Sequence, residues 1–269
     1  MERFVSPLLV LFTSFSAAAS DTVARPQWQK HFDARNMRGT FVLLEPAKDR
    51  YLVYNEARAR RRFVPASTFK IPNALIGLEV GSITDENEVF HWDGKPKPIA
   101  AWERDHTLAS GMRESTVWMF QEIARRTGRE RMREWLDRLD YGNKDIGGGI
   151  DLFWLQGRLR VSAMEQVDFL RKLAEGGLPM SQRSQRLVRN ALIVEKTPAY
   201  TLYAKTGTAN PAKDPVSWWV GWVEKKGRPL AYFAMNFTPS KDARYEDRFT
   251  LTRGILDEAG ALPSGSPPS

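Results

Sequence analysis

"RFVPASTFKIPN", residues 62–73, sets Ser67 and Lys70 three positions apart among apolar neighbours. On a helix, residues i and i+3 share a face, so the hydroxyl and the amine meet. A serine at a helix N-terminus lies among free backbone N–H groups, at the positive end of the dipole. That end stabilises the oxyanion formed when a carbonyl is attacked. A serine hydroxyl is a poor nucleophile until a base takes its proton. Lys70 lies between Phe69 and Ile71, and burial there favours the neutral amine. A neutral amine acts as a base, or adds carbon dioxide to give a carbamate with an anionic oxygen. Pro65 sets the entry to the helix, and Pro72 falls in the first turn, where a missing N–H costs little. The same S-x-x-K spacing also fits a helix-capping serine followed by a snorkelling lysine, so the pair alone leaves both readings open.

The flanking sequence supplies the frame. "NALIGLEVG" (73–81) has a helical pattern closed by Gly81. Upstream, "GTFVLLEP" (39–46) and "RYLVYNE" (50–56) predict two strands joined by a turn at 47–49. Residues 84–113 are irregular. From 115 the apolar residues Val117, Phe120 and Ala124, then Met132, Trp135, Leu136 and Leu139, recur at helical spacing. Ser162 and Glu165 form a capping box before "QVDFLRKLAEGG" (166–177), a helix expected to bury Val167, Leu170 and Leu173 and to stop at Gly176-Gly177. "TLYAKTG" (201–207) is a strand, and "SWWVGWVEKKGRPLAYFAMNF" (217–237) is a hairpin turning near Lys226-Gly227. A last helix spans about 246–260. Strands at both ends and helices between them predict an α+β fold. The first hairpin joins the last three strands in one antiparallel central sheet, flanked by terminal helices, with an inserted helical lobe. A cleft between sheet and lobe is the natural place for a site.

The chain of 269 residues, 42% hydrophobic and 27% charged, suffices for a single folded domain, expected over 20–262. Residues 1–19 combine an apolar run from Phe4 to Phe15 with Ala17-Ala18-Ala19, the pattern of a cleaved secretory signal. Export to the periplasm follows, with no membrane segment after cleavage. The tail 263–269, "PSGSPPS", is expected to be disordered. With no cysteine, thiol nucleophiles and thiolate metal sites are excluded. The three histidines, His31, His91 and His106, show no metal-ligand spacing, so no metal is expected. A Ser-His-Asp triad stays open, although no G-x-S-x-G elbow supports it. The net charge of +8 suits a small anionic substrate or an anionic surface. The arginine runs at 58–62 and 124–138 have the spacing of solvated faces, and export argues against a nucleic-acid partner.

Two further motifs narrow the reading. "KTG" (205–207) ends a predicted strand, where Lys205 and Thr206 can hold a carboxylate and Gly207 permits close approach. "STV" (115–117) opens a helix, where Ser115 serves as a proton relay or simply as an N-cap. The ordered set S-x-x-K, S-x-V and K-T-G is far more specific than any one of its members.

With "YGN" (141–143), "FWL" (153–155), Val161-Ser162-Ala163 and "WWVGW" (218–222), this set resembles the class D serine β-lactamases over nearly the whole mature chain. The resemblance implies a β-lactam hydrolase acting on penicillins and oxacillin-type compounds. It implies that Ser67 is acylated and that Lys70 is N6-carboxylated, with carbon dioxide as a covalent carbamate and no other cofactor. Lys70 then acts as general base in acylation and deacylation. Ser115 relays a proton, Val117 walls the lysine pocket, and the Trp154 indole donates to the carbamate. The backbone N–H groups of Ser67 and Thr208 form the oxyanion hole. Lys205, Thr206 and Arg248 hold the substrate carboxylate beside Gly207, Trp102 lines the cleft mouth, and Tyr141 is structural. The loop "TANPAKDPVS" (208–217) matches the carbapenem-hydrolysing subgroup in length but not in composition. The partner is the small-molecule substrate, with the protein a monomer or homodimer. Two alternatives use the same serine: a β-lactam sensor that keeps its acyl adduct, and a low-turnover penicillin-binding peptidase.

Overall fold

A computed structural model of the chain describes residues 21–209, 214–239, 244 and 246–263. The expected leader, 1–19, and all of the tail beyond Pro263 lie outside the described residues.

Among the described residues seven strands form one sheet: β1 (Asp21–Ala24), β2 (Arg38–Glu45), β3 (Arg50–Tyr54), β4 (Ile193–Lys196), β5 (Thr201–Ala209), β6 (Val216–Lys225) and β7 (Arg228–Thr238). Their order is β1-β3-β2-β7-β6-β5-β4, so the N-terminal hairpin does join the C-terminal strands, with β2 beside β7. The expectation of a purely antiparallel sheet is corrected at one edge, where β1 pairs with β3 in parallel. The reason is directional. The short helix α1 (Gln29–Asp33) turns the chain back into β2, and the β2–β3 hairpin reverses it again, so β3 runs the same way as β1. The four residues of β1 are too few to show an alternating pattern.

The middle of the sheet is covered on both faces, which is why β2 and β6 are apolar almost continuously instead of alternating. Val42, Leu44, Val220 and Trp222 face the helical lobe, whereas Phe41, Leu43 and Val223 face the terminal helices α1 and α9 (Asp247–Glu258). The lobe comprises α3 (Lys70–Glu79), α4 (Leu108–Arg113), α5 (Val117–Thr127), α6 (Arg129–Leu139), α7 (Ala163–Ala174) and α8 (Gln182–Ala191), with a short α2 (Glu56–Arg60) before it. Phe120, Ala124, Met132, Leu136, Val167, Leu170 and Leu173 are all fully buried, as their spacing predicts. Gly81 and Gly176 take left-handed φ values of +74° and +71° just past α3 and α7, a conformation that suits glycine and ends each helix.

The capping box at α7 is fully formed. Ser162 Oγ accepts from the Glu165 N–H at 3.2 Å, and Glu165 Oε2 accepts from the Ser162 N–H at 2.8 Å. Ser162→Ala is therefore expected to lower stability by about 1 kcal/mol, read as a lower urea midpoint at constant slope, with Ser162→Thr largely restoring it.

Candidate active site

Three stretches of chain meet between sheet and lobe. The first is the 3-10 turn Ala66–Phe69, which runs into α3. Several bonds pin it: Phe63 exchanges backbone bonds with Val161 (2.9 and 2.8 Å), the Trp218 indole donates to Val64 O (3.0 Å), and Ala66 N–H donates to Trp154 O (2.9 Å). Ala66 itself has φ +50°, a left-handed conformation uncommon for alanine, immediately before Ser67. Such local strain persists only where the surroundings over-determine it, and it recurs at functional sites. Ser67 sits in the turn preceding α3, and is only partly buried.

Lys70 opens α3 and is fully buried. Its Nζ donates to Ser67 Oγ at 2.7 Å and lies 5.4 Å from the centre of the Phe120 ring. Burial, and secondarily the charge of Lys205, hold its amine well below the usual lysine range. At neutral pH this amine is a free base beside the serine. Phe69 stacks on Trp154 at 5.3 Å and meets Phe153 edge-on at 4.9 Å, so the lysine pocket has an aromatic wall. The Trp154 indole N–H is buried without a partner among the described residues. A buried indole N–H ordinarily finds an acceptor. A carbamate oxygen on Lys70 is an acceptor of the right kind, so the residues present fit carboxylation.

The second stretch is the loop into α5. Ser115 has φ +56°, and the N-cap is Thr116, so the helix begins at Val117, two residues later than the motif itself. Ser115 Oγ accepts from Lys205 Nζ at 3.0 Å. The third stretch is β5, which carries Lys205, Thr206, Gly207 and Thr208. A Cβ on Gly207 would stand 2.9 Å from Pro65 O and 3.0 Å from Thr68 N. Glycine is needed here to let the strand press against the turn that bears the nucleophile. Lys205 is 4% exposed, and burial, then Arg248, lower its pKa to about 7. Arg248, in the first turn of α9, donates from Nη1 to Thr208 Oγ1 and Ser217 Oγ, each at 3.2 Å. Two cations at the positive end of a helix make this a place for an anion.

The structure thus brings together Ser67, Lys70, Trp154, Ser115, Lys205, Thr206, Gly207, Thr208 and Arg248. Val117 is half-buried at the start of α5. Trp102 makes its contacts elsewhere: its indole donates to Glu114 O (2.9 Å) and its carbonyl accepts from the Trp118 indole (3.0 Å), which braces the loop before Ser115. Tyr141 is buried and its hydroxyl donates to Gln166 Oε1 at 3.4 Å, a packing role. Residues 210–213 of the loop after β5 lie outside the described residues.

Two supporting residues escape a reading of motifs. Asn73, one turn past Lys70, donates to Phe120 O at 2.9 Å and ties α3 to α5. Its spacing from Lys70 was the available signal. His106 is buried, with Nε2 3.3 Å from Thr116 Oγ1 and Nδ1 3.1 Å from Ser110 Oγ, and so supports the Ser115 loop from behind. No sequence pattern marks it. Among the described residues there is no cluster of His, Asp and Glu able to hold a metal ion.

The family model of the penicillin-binding-protein transpeptidase domain matches residues 29–256. The chain is 42% identical over 267 residues to the β-lactamase OXA-5 of Pseudomonas aeruginosa, covering 98% of this chain and 100% of that protein. It is 40% identical over 256 residues to the β-lactamase OXA-48 of Klebsiella pneumoniae, covering 95% and 96%. Among solved structures, FUS-1 (OXA-85), a class D β-lactamase from Fusobacterium nucleatum subsp. polymorphum, superposes with a TM-score of 0.86 at 36% identity, over 90% of this chain and 100% of that one. Full-length likeness at this level, together with the ordered motifs converging on one cleft, means that the chain belongs to the class D β-lactamases.

Proposed function

We infer that the protein hydrolyses β-lactam antibiotics, penicillins and oxacillin-type compounds among them, through an acyl-enzyme on Ser67. The observation that carries this reading is a fully buried, neutral amine 2.7 Å from a partly accessible serine. Ser67 Oγ loses its proton toward the Lys70 side chain and attacks the lactam carbonyl carbon. The oxyanion develops facing the backbone N–H groups of Ser67 and Thr208. As the lactam C–N bond breaks, Ser115 delivers a proton to the departing nitrogen, with Lys205 behind it at 3.0 Å. Lys205, Thr206 and Arg248 hold the substrate carboxylate, a role that suits their burial and their place at the start of α9. Carbon dioxide bound to Lys70 would supply an anionic oxygen base for both half-reactions, and the Trp154 indole is the donor that would hold it. Ester cleavage of the acyl-enzyme then releases the ring-opened acid.

The leader at 1–19 fits export to the periplasm, and among the described residues no helix is long and apolar enough to cross a membrane. The test is a count of products per protein with an excess of chromogenic β-lactam and bicarbonate present. Many products per molecule are expected. A burst of about one equivalent with a stable Ser67 adduct would replace hydrolysis by the sensor or peptidase reading.

A further inference from the structure

A second cavity adjoins the catalytic cleft, with a volume of about 320 Å³. Its upper part is formed by Lys205, Thr206 and Arg248, the residues assigned above to the substrate carboxylate. From there it runs down the outer side of β5 to Ile193 and Val194 of β4. That side is open because β4 pairs with β5 only over Thr201–Tyr203. Beyond Tyr203 no strand among the described residues covers the outer edge of β5.

The lower wall is apolar in a way that regular strand geometry would not allow. Successive side chains of a strand point to opposite faces, yet Ile193 and Val194 both line this cavity. The β4–β5 register shifts between Ile193 and Glu195, and such a bulge re-aims a side chain. Ile193 and Val194 are 39% and 55% exposed, among the few large apolar residues left open to solvent in the described chain. The remaining wall includes Trp219 and Phe249, which meet edge-to-face at 4.8 Å. No carboxylate lines the cavity, whereas three cations, Arg113 among them, do. An occupant therefore needs an anionic head at the top and an apolar body below.

We propose that this cavity is a specificity pocket for the apolar substituent that a bicyclic β-lactam carries on the ring carbon next to its carboxylate. The proposal rests on the β-lactamase reading of the cleft. With the carboxylate held by Lys205, Thr206 and Arg248, a substituent on the adjacent carbon is one bond away. It reaches the cavity while the lactam stays over Ser67. No other part of the substrate is both beside the carboxylate and free to vary.

The test uses two cephems with the same acylamino side chain, one with methyl and one with phenyl at C3, neither group able to leave. The readout is the ratio of kcat/KM for phenyl over methyl in the full-length mature protein, in Val194→Asp and in the near-isosteric Val194→Thr. Apolar groups of this size are discriminated by tenfold or more in an apolar pocket. The wild type is expected to favour phenyl by about tenfold, and Val194→Asp to bring the ratio to about one or below, with Val194→Thr between. Charge effects on the shared carboxylate, and any loss of folded protein, act on both compounds and cancel in the ratio. A ratio equal in all three proteins, or a wild type that disfavours phenyl, overturns the pocket while leaving the hydrolase in place. Turnover of neither compound by the wild type overturns the function itself, and the pocket with it.

Discussion

Replacement of Lys70 by alanine is expected to lower kcat/KM for a penicillin by about 10³-fold to 10⁴-fold, the upper range for loss of a general base. The effect is large because one side chain serves both half-reactions. Ser67 Oγ has Lys70 Nζ at 2.7 Å, and no other titratable group is recorded within hydrogen-bonding distance of it. Lys205, the nearest alternative, is committed to Ser115 Oγ and Thr206 O. A change confined to KM with kcat retained would show that Lys70 only binds substrate. The variant should stay folded. The amine is desolvated in the wild type, so its removal relieves a cost that partly offsets the cavity left behind. Near-wild-type turnover in Lys70→Ala would refute the mechanism outright.

The second large effect is a reversible loss of activity on acid treatment in bicarbonate-free buffer. Burial lowers the pKa of Lys70, so the neutral amine prevails at pH 7 and persists some way below it. As the pH falls through that depressed value the amine takes a proton. An ammonium cannot hold carbon dioxide, so the loss runs in the acid direction and bicarbonate at neutral pH restores activity. Trp154→Phe sharpens the test. It keeps the aromatic stack on Phe69 but removes the one indole N–H left without an acceptor. A hydrogen bond to an anion is worth about 1.5–3 kcal/mol, so the bicarbonate needed for half activity should rise by roughly tenfold to a hundredfold. Equal bicarbonate dependence in wild type and Trp154→Phe would remove Trp154 from this role. Lys205 titrates near pH 7, and its deprotonation above that value adds a separate alkaline decline through weaker carboxylate binding.

How much of this was legible in the sequence depended on whether the information is local. Helix ends, the capping box at Ser162 and Glu165, the hairpin at Lys226-Gly227 and the buried faces of α5, α6 and α7 follow from spacing and turn chemistry within a few residues. The adjacency of Ser67 and Lys70 is also local, because three residues separate them. Motif order placed Ser115 and Lys205 in one site, but nothing local sets their 3.0 Å contact across 90 residues of chain.

Other features arise only from long-range packing. The parallel edge at β1 depends on how many times the chain reverses before β3, not on the four residues of the strand. Trp102 bears the residue type of a cleft-lining aromatic, yet its bonds to Glu114 and Trp118 make it a brace for the Ser115 loop. The bulge that turns Ile193 and Val194 into one cavity has no sequence signature, since it is a mismatch between two strands. The amino-acid sequence by itself determined the elements, the nucleophile and its base. Tertiary structure alone decided the charge state of Lys70 and Lys205. A pKa shift of this kind comes from desolvation by atoms distant in the chain, and no residue carries that information in its neighbours.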